Sequence, residues 1–400
     1  MKSNEFIAMD EQYGAHNYHP LPVVISWALG SKVKDPDGKE YFDFLSAYSA
    51  VNQGHRHPRI IKALIDQANT CTLTSRAFHN DKMGLFLKKL CEFTAYEMAL
   101  PMNTGVEAVE TAIKAARRWG VEVKGVENGK QEIICAADNF HGRTLVAISM
   151  STDPESTVNY GPYVPGFVQV PFGDADAIAK AFTSNTVAVI VEPIQGEAGV
   201  VMPPDGYLKK IRSLCDKNNA LFIADEVQTG FCRTGKRFAW QHENARPDIM
   251  CLGKAMGGGV LPVSGIVADK SVMKVFTPGT HGSTFGGNPL SSAVGLAAIE
   301  VLEDEKLDEH AEALGNLFRA ELAKIQCPRI VTIRGKGLLN AVVFEKGFEA
   351  WKVCLLLRDA GLLAKQTHGN IIRFAPPLVI SEKELREAIA IIRSVFENIT

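Results

Sequence analysis

The chain has 400 residues, 46% of them hydrophobic, and a formal net charge of −2. That size predicts a large domain with a smaller companion, and the near-neutral charge without a basic stripe excludes nucleic acid as the expected partner. The apolar run at 21–29 is too short to span a bilayer, so no membrane association is expected.

Eight scattered cysteines without a C-x-x-C pair read as reduced thiols rather than disulfides or zinc ligands. Residues 1–10 carry Glu5 and Asp10 and no arginine, unlike a secretory or transit leader, which makes a cytoplasmic location the expectation.

In chain order, Asn17-Tyr18-His19-Pro20-Leu21-Pro22 is too broken by proline for regular structure, and 33–42 reads as a hairpin around Pro36-Asp37-Gly38. Tyr48 lies in the small, polar run Ser46-Ala-Tyr48-Ser-Ala-Val-Asn52-Gln-Gly54-His55. Tyr18 and Tyr48 are either packing or rim residues, or they touch a ligand. His55 and His57 lack a third ligand at sensible spacing, so no metal is expected.

Next, Asn103-Thr104-Gly105-Val106 runs into strong helix formers over 107–118. The free N–H groups at Gly105 and Val106, at a positive dipole end, suit a phosphate; an ordinary helix cap is the plainer reading. A strand over 131–137 ends at Asp138-Asn-Phe140-His141-Gly142-Arg143. Phe140 either stacks on a flat cofactor or packs in the core, and Arg143 either holds a carboxylate or is a surface charge. A buried strand at 187–191 leads into Glu192-Pro193-Ile-Gln-Gly196-Glu197, two acids in a glycine-bearing loop.

Two further apolar runs, 220–224 and 249–252, end near Asp225 and Lys254, with Gln228 between them. Short continuous apolar runs fit strands of a parallel sheet buried on both faces, and ligands sit outside the carboxyl ends of such strands. Asp225 and Lys254 then reach one crevice. An acid for a pyridinium proton and an amine for an aldehyde make the pair that pyridoxal phosphate requires. Otherwise Asp225 caps a helix and Lys254 is a solvated charge. The strand and helix alternation spells a doubly wound, mostly parallel α/β domain without the G-x-G-x-x-G of a dinucleotide fold.

His281-Gly-Ser283-Thr284-Phe285-Gly286-Gly287 precedes a helix over 290–302 and either binds phosphate through its hydroxyls or merely connects. Helical spacing over 303–325, strands at 330–333 and 338–344, and a helix at 348–360 ended by Gly361 follow. The stretch 371–377 reads as a short strand carrying Arg373, and Ser381-Glu-Lys-Glu384 opens the last helix with a capping box. The expected division is an arm and hairpin (1–48), a large cofactor domain (49–294) and a small α+β domain (295–400).

These motifs together resemble the class-III, fold-type-I pyridoxal-phosphate aminotransferases over nearly the whole chain. The resemblance implies that Lys254 carries the cofactor, Asp225 holds its ring nitrogen, Gln228 its phenolic oxygen, and Phe140 stacks on its ring. Glu192 is implied at the same cofactor site. Gly105 and Val106 match the phosphate-binding helix start, while Ser283 and Thr284 match residues that complete the phosphate site of a neighbouring subunit, implying a homodimer. Tyr18 and Arg143 resemble a carboxylate anchor, and Tyr48 resembles a pocket residue that helps to select L-ornithine. Glu197 resembles a gate that masks Arg373 until 2-oxoglutarate arrives. N-acetylornithine and 4-aminobutyrate are the alternative donors. His141 departs from the tryptophan expected in animal members and bears on the pocket near Arg143.

Overall fold

The computed structural model describes residues 1–399. A hairpin sheet comes first, from β1 (Trp27–Leu29), β2 (Lys32–Lys34) and β3 (Glu40–Asp43). The central sheet is built from β4 (Met98–Met102), β5 (Glu132–Ala136), β6 (Phe167–Val170), β7 (Thr186–Val191), β8 (Leu221–Asp225), β9 (Ile249–Leu252) and β10 (Ser264–Ala268). Its order is β4-β10-β9-β8-β7-β5-β6, parallel from β9 to β6, with β10 antiparallel to both of its neighbours.

Each central strand sends alternate side chains to opposite faces. Ile133 and Cys135, with Leu221 and Ile223, pack against Ala108, Val109 and Ala112 of the helix Gly105–Trp119. Ile134 and Ala136, with Phe222 and Ala224, pack against Tyr207, Leu208 and Ile211 of the helix Tyr207–Lys217. Both faces are covered by helices, and this is why these strands read as unbroken apolar runs.

The chain reaches its C-terminal part through the continuous helix Pro289–Asp304, so the expected division at 294/295 falls inside a helix. Beyond it, β11 (Ile330–Lys336), β12 (Leu339–Phe344), β13 (Leu362–Leu363), β14 (Lys365–Thr367) and β15 (Ile371–Phe374) follow. Four of these form the sheet β11-β12-β15-β14, while β13 pairs in parallel with β3 and ties the two ends of the chain together.

Three segments meet on one buried cation. Arg233 is fully buried and donates to Asn52 Oδ1, Leu338 O and Pro376 O. Burial pulls its guanidinium down to about 9, still charged at neutral pH. Replacing it with methionine orphans three buried acceptors and is expected to cost at least ~3 kcal/mol, at about 1–3 kcal/mol for each unsatisfied group. A urea midpoint unchanged from the parent chain would contradict this; Arg233→Lys should fall between the two.

Candidate active site

The carboxyl ends of the central strands open onto a cavity of about 190 Å³ lined by Gly105, Val106, Phe140, His141, Glu192, Asp225, Val227, Gln228 and Lys254. Asp225 is the last residue of β8, and Glu192 directly follows β7. Lys254 opens a short 3-10 turn beyond β9 at a left-handed φ of +46°. Such a backbone is strained for any residue but glycine, and strain of this kind concentrates at functional sites. Burial lowers the Lys254 amine below its ordinary 10.5, against the pull of Glu197 and Asp225.

Asp225 is fixed from both sides. Its Oδ2 lies 2.7 Å from His141 Nδ1, and its Oδ1 accepts from Val227 N at 3.1 Å. Burial alone would lower the His141 imidazole, but the hydrogen bond and charge of Asp225 outweigh it and hold the ring above its ordinary value. The sequence reading had tied His141 to the surroundings of Arg143; its side chain instead supports the acid. Only the Asp225 partner reveals this, and it is 84 residues away. Glu192 accepts from the backbone of Phe140 and Gly196, and burial raises its carboxyl to about 7.

The helix Gly105–Trp119 starts with its first turn at the cavity. Glu107 folds back to accept from the N–H groups of Asn103 and Thr104, at 3.1 and 2.7 Å. Gly105 and Val106, one and two residues into the helix, have no acceptor within it. The backbone must come close here, since a Cβ on Gly105 would lie 2.8 Å from Val227.

A second group lies beside Lys254. Arg373 donates to Glu197 Oε1 at 2.7 Å, and Gln228 Nε2 donates to the same oxygen at 3.0 Å. Burial pushes the Glu197 carboxyl up, but Arg373, Lys254 and Gln228 together bring it down to about 2. A Cβ on Gly196 would meet Gln228 Oε1 at 1.8 Å, so only glycine leaves that amide its place. The Arg373 guanidinium stands 5.0 Å from the Tyr48 ring centroid.

Tyr48 comes from an unforeseen local structure. Ser46, Ala47, Tyr48 and Ser49 all have positive φ. The turn is held by Asp43 Oδ1, which accepts from the backbone of Leu45 and Ser46, and by Ser46 Oγ on Ala375 O at 2.6 Å. Small residues tolerate left-handed backbone least badly, which accounts for the serines and alanine around the one aromatic.

Four further expected site residues do not line the inner cavity. Tyr18 is exposed and lines, with Tyr48, an outer apolar cavity of about 310 Å³. Arg143 is exposed, bonded to Ser156 Oγ at 3.4 Å and lying 5.6 Å from the Phe140 ring centroid. Thr284 is exposed, and Ser283 Oγ accepts from Asn103 Nδ2 at 2.8 Å. His55 and His57 each hold a separate carboxylate, Asp43 and Glu305.

The inner cavity fits pyridoxal phosphate. It offers a lysine amine with a lowered pKa, a buried carboxylate for a ring nitrogen, Phe140 and Val227 in its lining for a flat ring, and unpaired helix N–H groups for phosphate.

The aminotransferase class-III family model matches residues 13–396. The chain is 57% identical over 396 residues to the ornithine aminotransferase of Oceanobacillus iheyensis, covering 99% of each. It superposes at a TM-score of 0.97 and 46% identity on the ornithine aminotransferase of Toxoplasma gondii, whose active site holds PLP at partial occupancy, over 98% of this chain and 94% of that one. The acetylornithine aminotransferase of Elizabethkingia anophelis gives a TM-score of 0.91 at 49% identity, with 100% of both chains covered. With its lysine, acid and phosphate-ready helix start on one cavity, the chain belongs to the class-III aminotransferases, a pyridoxal-phosphate-dependent family.

Proposed function

We propose that this enzyme transfers the distal amino group of L-ornithine to 2-oxoglutarate. The products are L-glutamate and glutamate-5-semialdehyde, which cyclises to pyrroline-5-carboxylate, linking arginine and ornithine breakdown to proline. The observation that carries the reading is the 2.7 Å pair of Glu197 and Arg373, capped by Tyr48, beside Lys254.

Bound pyridoxal phosphate supplies an electron sink and carries the amino group between two half-reactions. Lys254 would anchor it and would carry the transferred proton on its Nζ. Asp225, steadied by His141, would hold its ring nitrogen, and Gln228 would serve the phenolic oxygen. Gly105 and Val106 would hold the phosphate, and Phe140 would cover the ring.

Tyr18 and Arg143 take the α-carboxylate of ornithine, which leaves the distal amine at Lys254. A permanently free Arg373 would compete for that carboxylate and turn the substrate round. Glu197 hides it until a dicarboxylate displaces the pairing. Exposed Thr284, with Ser283, completes the phosphate site of a second subunit in a homodimer, with exposed Phe285 alongside. We place the enzyme in the cytoplasm. No helix among the described residues is long and apolar enough to cross a membrane.

Initial rates on ornithine, N-acetylornithine and 4-aminobutyrate test the assignment, and a faster rate with acetylornithine would overturn it. In the same panel, Tyr48→Ile is expected to lower ornithine kcat/KM about tenfold, the worth of one good contact near a charged group. It should also let 4-aminobutyrate compete. An unchanged donor ranking would remove Tyr48 from specificity.

A further inference from the structure

His281 lies outside the cavity, yet its ring is fixed by two side chains of the helix that faces the phosphate position. Its Nε2 is 2.8 Å from Thr111 Oγ1, and its Nδ1 is 2.9 Å from Lys114 Nζ. The tautomer follows from chemistry. Thr111 gives its one hydroxyl proton to Glu107 O at 2.6 Å, so its oxygen accepts from His281 Nε2–H. A lysine ammonium only donates, so Nδ1 must accept. Both bonds therefore require a neutral imidazole. Phe276 stacks on the ring with centroids 5.2 Å apart.

The loop is tied at two further places. Ser283 Oγ accepts from Asn103 Nδ2 at 2.8 Å and from Gly286 N at 3.1 Å. Arg76 and Asn80 donate to the carbonyls of Gly286 and Gly287. Between these ties Thr284 and Phe285 are left exposed at the crest of an arch.

We propose that His281 is a proton-sensitive positioning residue, clamping the 281–288 loop to the helix 105–119 so that Thr284 is presented to the phosphate in the partner subunit's site. This rests on the reading of Thr284 as a phosphate contact across a dimer. Burial lowers the His281 imidazole below its ordinary 6.5, and the charged groups acting on it are both on the helix: Lys114, which lowers it further, and Glu107, which opposes them. The clamp is thus intact at neutral pH. Protonation at acid pH puts an N–H at Nδ1 against the Lys114 ammonium and opens it.

The test measures the rate at which holoenzyme loses pyridoxal phosphate on gel filtration, followed by absorbance, at pH 8 and pH 5.5. His281→Phe is expected to release cofactor about tenfold faster at pH 8, the worth of one hydrogen bond to a charged donor. It should lose nothing further when Thr284→Ala is added. His281→Gln, whose amide accepts from Lys114 and donates to Thr111, should retain cofactor as the parent does at pH 8 and release it more slowly than the parent at pH 5.5. Additive effects of His281→Phe and Thr284→Ala would overturn the clamp, as would parental acid sensitivity in His281→Gln. Fast release from Thr284→Ala with parental release from His281→Phe rejects the clamp and keeps the Thr284 reading. Parental release from Thr284→Ala rejects both.

Discussion

A Lys254→Ala enzyme is expected to bind cofactor but to turn over at least ~10⁴-fold more slowly, losing both the nucleophilic amine and the proton carrier. The long-wavelength absorbance of cofactor held through the lysine should vanish with it. Its surroundings make this residue hard to replace, because burial keeps its amine below the ordinary 10.5 despite the pull of Glu197 and Asp225. A neutral amine attacks an aldehyde, and an ammonium does not. Arginine, always charged, cannot substitute. Added methylamine should restore a small part of the proton transfer by diffusing into the space left by the side chain. Retention of the absorbance band in Lys254→Ala would overturn the central assignment.

The features that were readable beforehand are those with one local cause. Runs such as Val187-Ala-Val-Ile-Val191 are apolar because helices cover both faces, and their ends point at the cavity. Asp225 and Lys254 follow from that rule, and the helix start at Gly105 from the helix formers that come directly after a small polar cluster. Strand β4 is harder to see because Pro101 lies within it; an edge position, paired only with β10, tolerates the missing N–H. Its partner β10 carries Gly265, where a Cβ would come within 2.4 Å of Leu100 O.

The N-terminal helix Ser3–Tyr13 buries no side chain, so no amphipathic pattern announces it. His141 meets Asp225, 84 residues away, and the Tyr48 ring meets the guanidinium of Arg373 from the far end of the chain, and no spacing rule reaches across such distances. For Tyr18, Arg143, Ser283 and Thr284 the roles rest on family likeness, because a single chain leaves these side chains exposed or outside the inner cavity.

Arg373→Ala separates the two half-reactions. With 2-oxoglutarate the guanidinium makes a charge-assisted contact worth about 1.5–3 kcal/mol, so kcat/KM for that half-reaction should fall roughly 10- to 150-fold. With ornithine the arginine is already taken by Glu197, and the loss should stay within about threefold. The pairing is ionic throughout the working range. The Glu197 carboxyl is held at about 2, below its ordinary 4.5, so the stability it contributes is fully present above 4.5 and is lost as pH falls towards 2. Removing Arg373 takes away the strongest of the groups holding that carboxyl down, and burial then pushes it up. The Glu197 carboxyl of Arg373→Ala should therefore take up its proton at a higher pH than in the parent, read by infrared difference titration. The reverse substitution completes the argument. Glu197→Gln leaves Arg373 unmasked, so ornithine KM should rise while 2-oxoglutarate binding improves. Equal losses in both half-reactions for either variant would mean that Glu197 and Arg373 form a structural pair and not a gate.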